Sequence, residues 1–280
     1  MTERNGITRS SDFFRLLEID VTDAGRNKNA FDRLRKKHVN GILVRNVYSL
    51  DFLNNLQHRL EAHDPPFLQT WFPEEFNAWF YGRNLNLADP DLHGYFEEAR
   101  SFQEHLNLLF PHSLGISTYL AKLMSVLDNN RPFQAPPGPE PGQYYMFATI
   151  RCHLEGGYIP PHIDYEYVRR RSYEHLRNLI DTEIFSYVLP LSAPDGGGTL
   201  NIYNYQVDLP LLQGKEHVSQ DHTYENLESV SIPCSPGSLF IFDSGRYLHG
   251  VTPVIGQQKR WTICSFMALN KNRDAMYCWG

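Results

Sequence analysis

Two histidines and an aspartate in this chain have the types and spacing to hold a metal ion. His162-Ile163-Asp164 follows a Gly-Gly and Pro-Pro stretch where the chain leaves a strand-like run, and His249 sits in RYLHGV, after SLFIFD. Two imidazoles and one carboxylate make the facial triad that binds non-haem Fe(II) and leaves positions open for a co-substrate and O2. Arg260 and Thr262 follow on a run that reads as a returning strand, where alternate residues share a face. A guanidinium beside a hydroxyl is a good receptor for a carboxylate. A second His-x-acid pair, His153-Leu154-Glu155, competes with the first, but it lies inside the run TIRCHLEGG rather than beyond it. Each residue also has an ordinary reading: a surface turn pair for His162 and Asp164, a structural histidine for His249, a surface ion pair for Arg260.

These residues need elements to carry them. After Tyr144 the chain runs through FATIRCHLE, FSYVLPLS, GTLNIYNY, SVSIP, SLFIF, GVTPVI and WTICSFMAL, separated by turn signals such as PDGGG, PCSPGS and DSGR. Short β-rich runs at this spacing predict a sandwich or barrel. Two insertions interrupt it: 165–183, with a helical pattern, and 207–229, polar and irregular. Insertions beside a barrel mouth often form lids or pocket walls. Gly196-Gly197-Gly198 is not a phosphate loop, because no Gly-Lys-Ser/Thr follows; it reads as a hairpin turn.

Residues 1–143 read as mainly helical support. Helical spacing covers Asn29 to His38, Asp51 to His63 with Asp51 as N-cap, Asp91 towards Phe110, and Ser117 to Asp128, with a short strand in GILVRNVY. The Pro/Gly-rich stretch from Arg131 to Gln143 is expected to be a tight loop within one domain spanning 1–280, with the barrel in 144–280. The basic runs Arg33 to Lys37 and Arg169 to Arg171 are expected to be solvated faces, the second also able to meet an anionic substrate.

With 280 residues, 41% of them hydrophobic and 13% aromatic, the chain has enough apolar surface for a real core, which excludes wholesale disorder. A net charge of −6 argues against a polymeric nucleic acid or anionic membrane as partner. No stretch approaches the ~20 apolar residues that span a bilayer. The four cysteines form no C-x-x-C pair, so reduced thiols in a cytoplasmic protein are expected. Oligomeric state is left open.

The pattern His-x-Asp…His followed by Arg-x-Thr resembles the signature of Fe(II)/2-oxoglutarate-dependent oxygenases, and most closely the freestanding halogenases of hapalindole- and welwitindolinone-type alkaloids. The resemblance rests on YGRNLNLADPDLHGYF, PPGPEPGQYYMFATIRCHLEGGYIPPHID, FSYVLPLSAPDGGGTLNIYN, PGSLFIFDSGRYLHGVTPVIGQQKRWTICSFMAL and MYCWG. It implies an α+β fold with a double-stranded β-helix (jelly-roll, cupin-like) core, a helical N-terminal half and a helical lid insertion. It implies Fe(II) on His162, Asp164 and His249, and 2-oxoglutarate on Arg260, O2 being the oxidant; Thr262, two residues on, and Arg151, in TIRCHLE, are the further co-substrate contacts expected from the residues themselves. It places Ser186 beside the iron as a catalytic residue, and Tyr81, Arg83 and Tyr165 against the substrate. For Ser186 a small core residue, for Arg151 a solvent-facing strand position, and for Tyr81 and Arg83 an N-terminal packing loop are equally open.

One departure bears on the chemistry. The halogenases of that branch have glycine where this chain has Asp164, and a vacant carboxylate position lets chloride bind iron. Asp164 fills it, so hydroxylation of an unactivated C–H bond of a freestanding small molecule, giving succinate and CO2, is expected, with specialised metabolism as the setting. Desaturation or ring closure, halogenation, a nucleotide, amino-acid or protein substrate, and a jelly-roll module without iron are the competing readings.

Overall fold

A computed structural model describes residues 2–3, 7–9, 11–88, 92–165, 170–207 and 226–280. The expected Asp91 cap, Arg169, and most of the 207–229 insertion lie outside the described residues. The large sheet runs, in order, through Arg15–Asp20, Gly41–Arg45, Leu239–Phe242, Phe185–Pro190, Arg260–Leu269, Thr149–His153, Ala78–Tyr81 and Gln69–Trp71. A four-stranded sheet of Ser229–Ser231, Leu200–Gln206, Tyr247–Val251 and Ile159–His162 faces it. The two meet through one apolar cluster, in which Leu43, Phe240 and Phe242 of the large sheet pack with Leu200, Ile202, Tyr247 and Val251 of the small one. Two mainly antiparallel sheets closed over a shared interior make the double-stranded β-helix, or jelly roll.

The chemistry of the site is set by strand alternation, since successive side chains point to opposite faces. Trp261 and Ile263, Ile150 and Cys152, Phe185, Tyr187 and Leu189 face away from the small sheet and join the main core. Their alternates Arg260 and Thr262, Arg151 and His153, and Ser186 and Val188 line the interior between the sheets. Polar residues thus enter the barrel without interrupting the core on the other side.

Helices cover that other side. Leu50–Glu61 buries Leu53, Leu56 and Leu60, and Leu92–Leu109 buries Tyr95, Phe96, Ala99, Phe102, Leu106 and Leu109, each at helical spacing. Full burial of such side chains contributes roughly 1.5–3 kcal/mol each. The first helix is capped by Ser49, whose hydroxyl accepts from the Phe52 amide at 3.3 Å; Asp51 lies in its first turn instead. The expected Ser117–Asp128 helix opens with a π-turn over Ile116–Leu120 and becomes regular over Ala121–Leu127.

The N-terminal half is less helical than its sequence suggests. Arg15–Asp20, Gly41–Arg45, Gln69–Trp71 and Ala78–Tyr81 all belong to the large sheet. Arg15–Asp20 and Gly41–Arg45 pair in parallel, with the Ala30–Arg35 helix in the crossover between them. Among its described residues the lid insertion holds a short 3-10 turn, Arg171–Tyr173, and one helical turn, Glu174–Arg177. Among the described residues no helix is long and apolar enough to cross a membrane.

Candidate metal centre

Tyr247–Val251 and Ile159–His162 pair antiparallel in the small sheet, and the pairing sets His249 directly opposite His162. Their rings lie 4.3 Å apart between centroids. Each ring is turned by its own strand: His162 Nδ1 meets the Pro160 carbonyl at 2.8 Å, and His249 Nδ1 meets the Tyr247 carbonyl at 2.9 Å. A carbonyl only accepts, so both Nδ1 atoms carry the proton and both Nε2 atoms present lone pairs. Asp164 closes the triangle, with Oδ1 3.4 Å from His162 Nε2 and Oδ2 3.6 Å from His249 Nε2. Among the described residues these three form the one His/Cys/Asp/Glu group able to share an ion, with ligand atoms within 4.8 Å of one another. Adjacent ligands at right angles on bonds of about 2.1 Å stand about 3 Å apart, close to the two His–Asp separations, so the set suits one face of a six-coordinate divalent ion.

The electrostatics suit that role. Burial opposes the charge on Asp164, but His249, His162 and the Ser186 hydroxyl outweigh it and hold the carboxyl well below its ordinary range. Burial, then repulsion from His162, pushes His249 down to about 4, which keeps it a neutral ligand at neutral pH. Ser186 Oγ donates to Asp164 Oδ2 at 2.9 Å and accepts from Ser244 Oγ at 2.7 Å; the Ser244 carbonyl takes the Asp164 amide at 3.0 Å. Hydrogen bonds of this kind orient a ligating carboxylate.

The triad opens into a cavity of about 360 Å³. Arg260, Thr262, Arg151 and His153 line it together. Arg260 is buried and aimed by one bond, Nε to the Gly198 carbonyl at 2.7 Å. The cavity lining is also aromatic and amide-rich, with Phe72, Phe76, Tyr158, Asn84 and Asn86, and Arg170 of the basic run reaches it. Tyr173 of the lid insertion donates to Asn86 Oδ1 at 2.6 Å, tying the lid to the N-terminal wall.

A family model described as "Carrier-protein-independent halogenase WelO5" matches residues 13–280. The chain belongs to this family. It is a 2-oxoglutarate-dependent non-haem iron oxygenase, with Fe(II), 2-oxoglutarate and O2 as its cofactor and co-substrates. The structure of an N-substituted L-amino acid dioxygenase from Burkholderia ambifaria AMMD is similar, with a TM-score of 0.58 at 13% identity, covering 90% of this chain and 91% of that one. The same dioxygenase in complex with alpha-KG gives 0.57 at 13% identity, with 90% and 91% covered. This likeness shows the fold. No curated protein sequence matches the chain significantly.

Within this WelO5-type chain, three residues expected at the substrate are not among those lining the cavity. Tyr81 is a core residue: its hydroxyl donates to the Leu60 carbonyl at 2.9 Å, and its ring stacks on Phe67. Strand alternation turns it towards the helices, away from Phe80. Arg83 acts on the half-buried Glu98, where burial raises the carboxyl pKa and the Arg83 charge opposes it; Arg83 is not on the cavity wall. Tyr165 packs between two apolar clusters outside the cavity lining. Asn84 and Asn86, in the same YGRNLNLADPDLHGYF segment, line the cavity instead. Phe72, Phe76, Gly198 and Ser244 carry no signal in the sequence, since loop aromatics and turn residues show no periodicity.

Proposed function

We propose that this oxygenase hydroxylates an unactivated C–H bond of a freestanding small molecule. The observation that carries the reading is Asp164, whose carboxylate faces both histidine Nε2 atoms. When bound, iron with 2-oxoglutarate supplies a two-electron oxidation that consumes O2 and yields succinate, CO2 and one oxygen atom inserted into the substrate. His162, Asp164 and His249 hold the ion, and Arg260 with Thr262 and Arg151 receives the co-substrate carboxylates. Phe72, Phe76 and Tyr158 screen the centre from water and offer an apolar surface to substrate, while Asn84 and Asn86 supply hydrogen bonds that set its orientation. A carrier-independent family supports a free substrate, and specialised biosynthesis is its natural setting. The four free thiols support a reducing, cytoplasmic location.

Halogenation is the second reading, favoured by the description of the family. Against it stands Asp164, which occupies the position a halide needs. Anaerobic Fe(II) and 2-oxoglutarate are expected to produce a visible charge-transfer absorption that is lost in His162→Ala and Asp164→Ala; an unchanged band in His162→Ala would remove that residue from the ligand set. Succinate release is then screened over candidate small molecules in chloride and bromide buffers. A product heavier by one oxygen is expected, and a halogenated product reverses the assignment.

A further inference from the structure

The cavity wall holds a buried imidazole that neither the metal triad nor the arginine anchor uses. His153 is 1% exposed and lines the cavity, and its Nδ1 is buried without a hydrogen-bond partner. Core histidines normally have their nitrogens satisfied by the protein; here Nδ1 is enclosed and unpaired, and it is the other edge of the ring that lines the cavity and can meet what enters it. What it meets is not the metal, because the metal group excludes His153.

Strand register gives the ring its company. Thr149–His153 pairs antiparallel with Arg260–Leu269 so that His153 stands opposite Arg260, and Arg151 opposite Thr262. Opposed residues of an antiparallel pair project on one side with Cβ atoms about 5 Å apart. The four side chains therefore form a two-by-two block of donors. Arg260 has spent Nε on Gly198, which leaves its terminal nitrogens for a ligand. Phe72 lies against the imidazole, 6.5 Å between centroids and 28° from parallel, and fixes its plane.

We propose that His153 completes the subsite for the distal carboxylate of 2-oxoglutarate, donating an uncharged N–H beside Arg260, and that this donor sets the preference for a dicarboxylic keto acid. The proposal rests on the co-substrate reading of the site given above. A carboxylate offers about four acceptor positions; a guanidinium fork fills two and the Thr262 hydroxyl a third, so one is left for His153. Charge matching favours a neutral group there. Two guanidinia already balance the two carboxylates of the dianion, and burial, then Arg260 and Arg151, keep the imidazole well below its usual pKa. His153 adds direction without a third positive charge.

The test is equilibrium binding to Fe(II)-loaded protein without O2, using 2-oxoglutarate and 2-oxopentanoate, which replaces the distal carboxylate by a methyl group. His153→Leu is expected to weaken 2-oxoglutarate by about tenfold or more while leaving 2-oxopentanoate and Fe(II) affinity unchanged. His153→Gln, which keeps an N–H, is expected to recover most of the loss. Equal 2-oxoglutarate affinity in His153→Leu and wild type overturns the role of His153 alone, as does an equal loss for both keto acids. Wild-type protein that binds neither keto acid overturns the co-substrate reading and this inference with it.

Discussion

Asp164 changes what the hydroxyls around it can do. Ser186 spends its proton on the carboxylate and takes one from Ser244, which is fully buried. In this arrangement Ser186 acts through Asp164, as a positioning residue. Removing it frees the carboxylate to rotate away from the histidines. Ser186→Ala is therefore expected to weaken Fe(II) binding by roughly 10- to 100-fold, and Ser244→Ala by less. Because the two share one chain of hydrogen bonds, the double variant should lose little more than Ser186→Ala. Titration with Fe(II) or Co(II) under argon measures this, and unchanged affinity in Ser186→Ala would reduce it to a core residue. His162, Asp164 and His249 were legible in the sequence because metal ligands have distinctive types and a fixed local spacing. Ser244 was not, since DSGR looks like any polar turn and its role exists only through a neighbour far away in sequence.

Elements carry the site by turning alternate residues to opposite sides, and this explains which of them the sequence disclosed. Arg260–Leu269 and Phe185–Pro190 alternate in chemistry as well as direction, so their pattern reads as strand. Ala78–Tyr81 is buried throughout, which erases the period-two signal and lets neighbouring helical spacing dominate. The glycine run shows the limit of local reading. Gly196–Gly197 pairs with Val254–Ile255, in keeping with a turn, but Gly198 also receives Arg260 Nε on its carbonyl. Gly198 has φ +61°, and a Cβ there would sit 2.8 Å from Arg260 Cδ and 2.9 Å from Pro194 Cγ. Gly198→Ala is expected to displace the guanidinium and to carry left-handed strain of about 1–2 kcal/mol. Its 2-oxoglutarate affinity should fall several-fold with Fe(II) affinity intact, read by parallel titrations. A fall in both would mean that the whole barrel, not the arginine, had moved.

On the scale of the whole molecule, the helical layer must stay in register with the sheet whose other face holds the site. Much of that register is apolar and non-directional, but one buried ion group gives it a fixed point. Asp128, just after the Ala121–Leu127 helix, has a fully buried carboxylate that receives Arg35 Nη1 at 3.0 Å and Arg131 Nε at 3.0 Å. Arg35 ends the Ala30–Arg35 helix of the crossover. Arg131 leads into Phe133–Gln134, which pairs with Met276–Trp279, itself the neighbour of Arg260–Leu269. The carboxylate thus links two helices to the strand that carries Arg260. Such a cluster is weak evidence of net stability, yet losing one partner is costly because charges stay behind without a match. Asp128→Ala leaves Arg131 without a carboxylate and the 9% exposed Arg35 with only the partly exposed Asp32, and is expected to cost about 3 kcal/mol and lower Tm by several degrees. Arg26→Ala, which breaks an exposed pair with Asp23, serves as the contrast and should shift Tm little. If thermal unfolding finds the two variants alike, the Asp128 group is not what holds the layers, and the apolar contacts between helices and sheet carry their alignment alone.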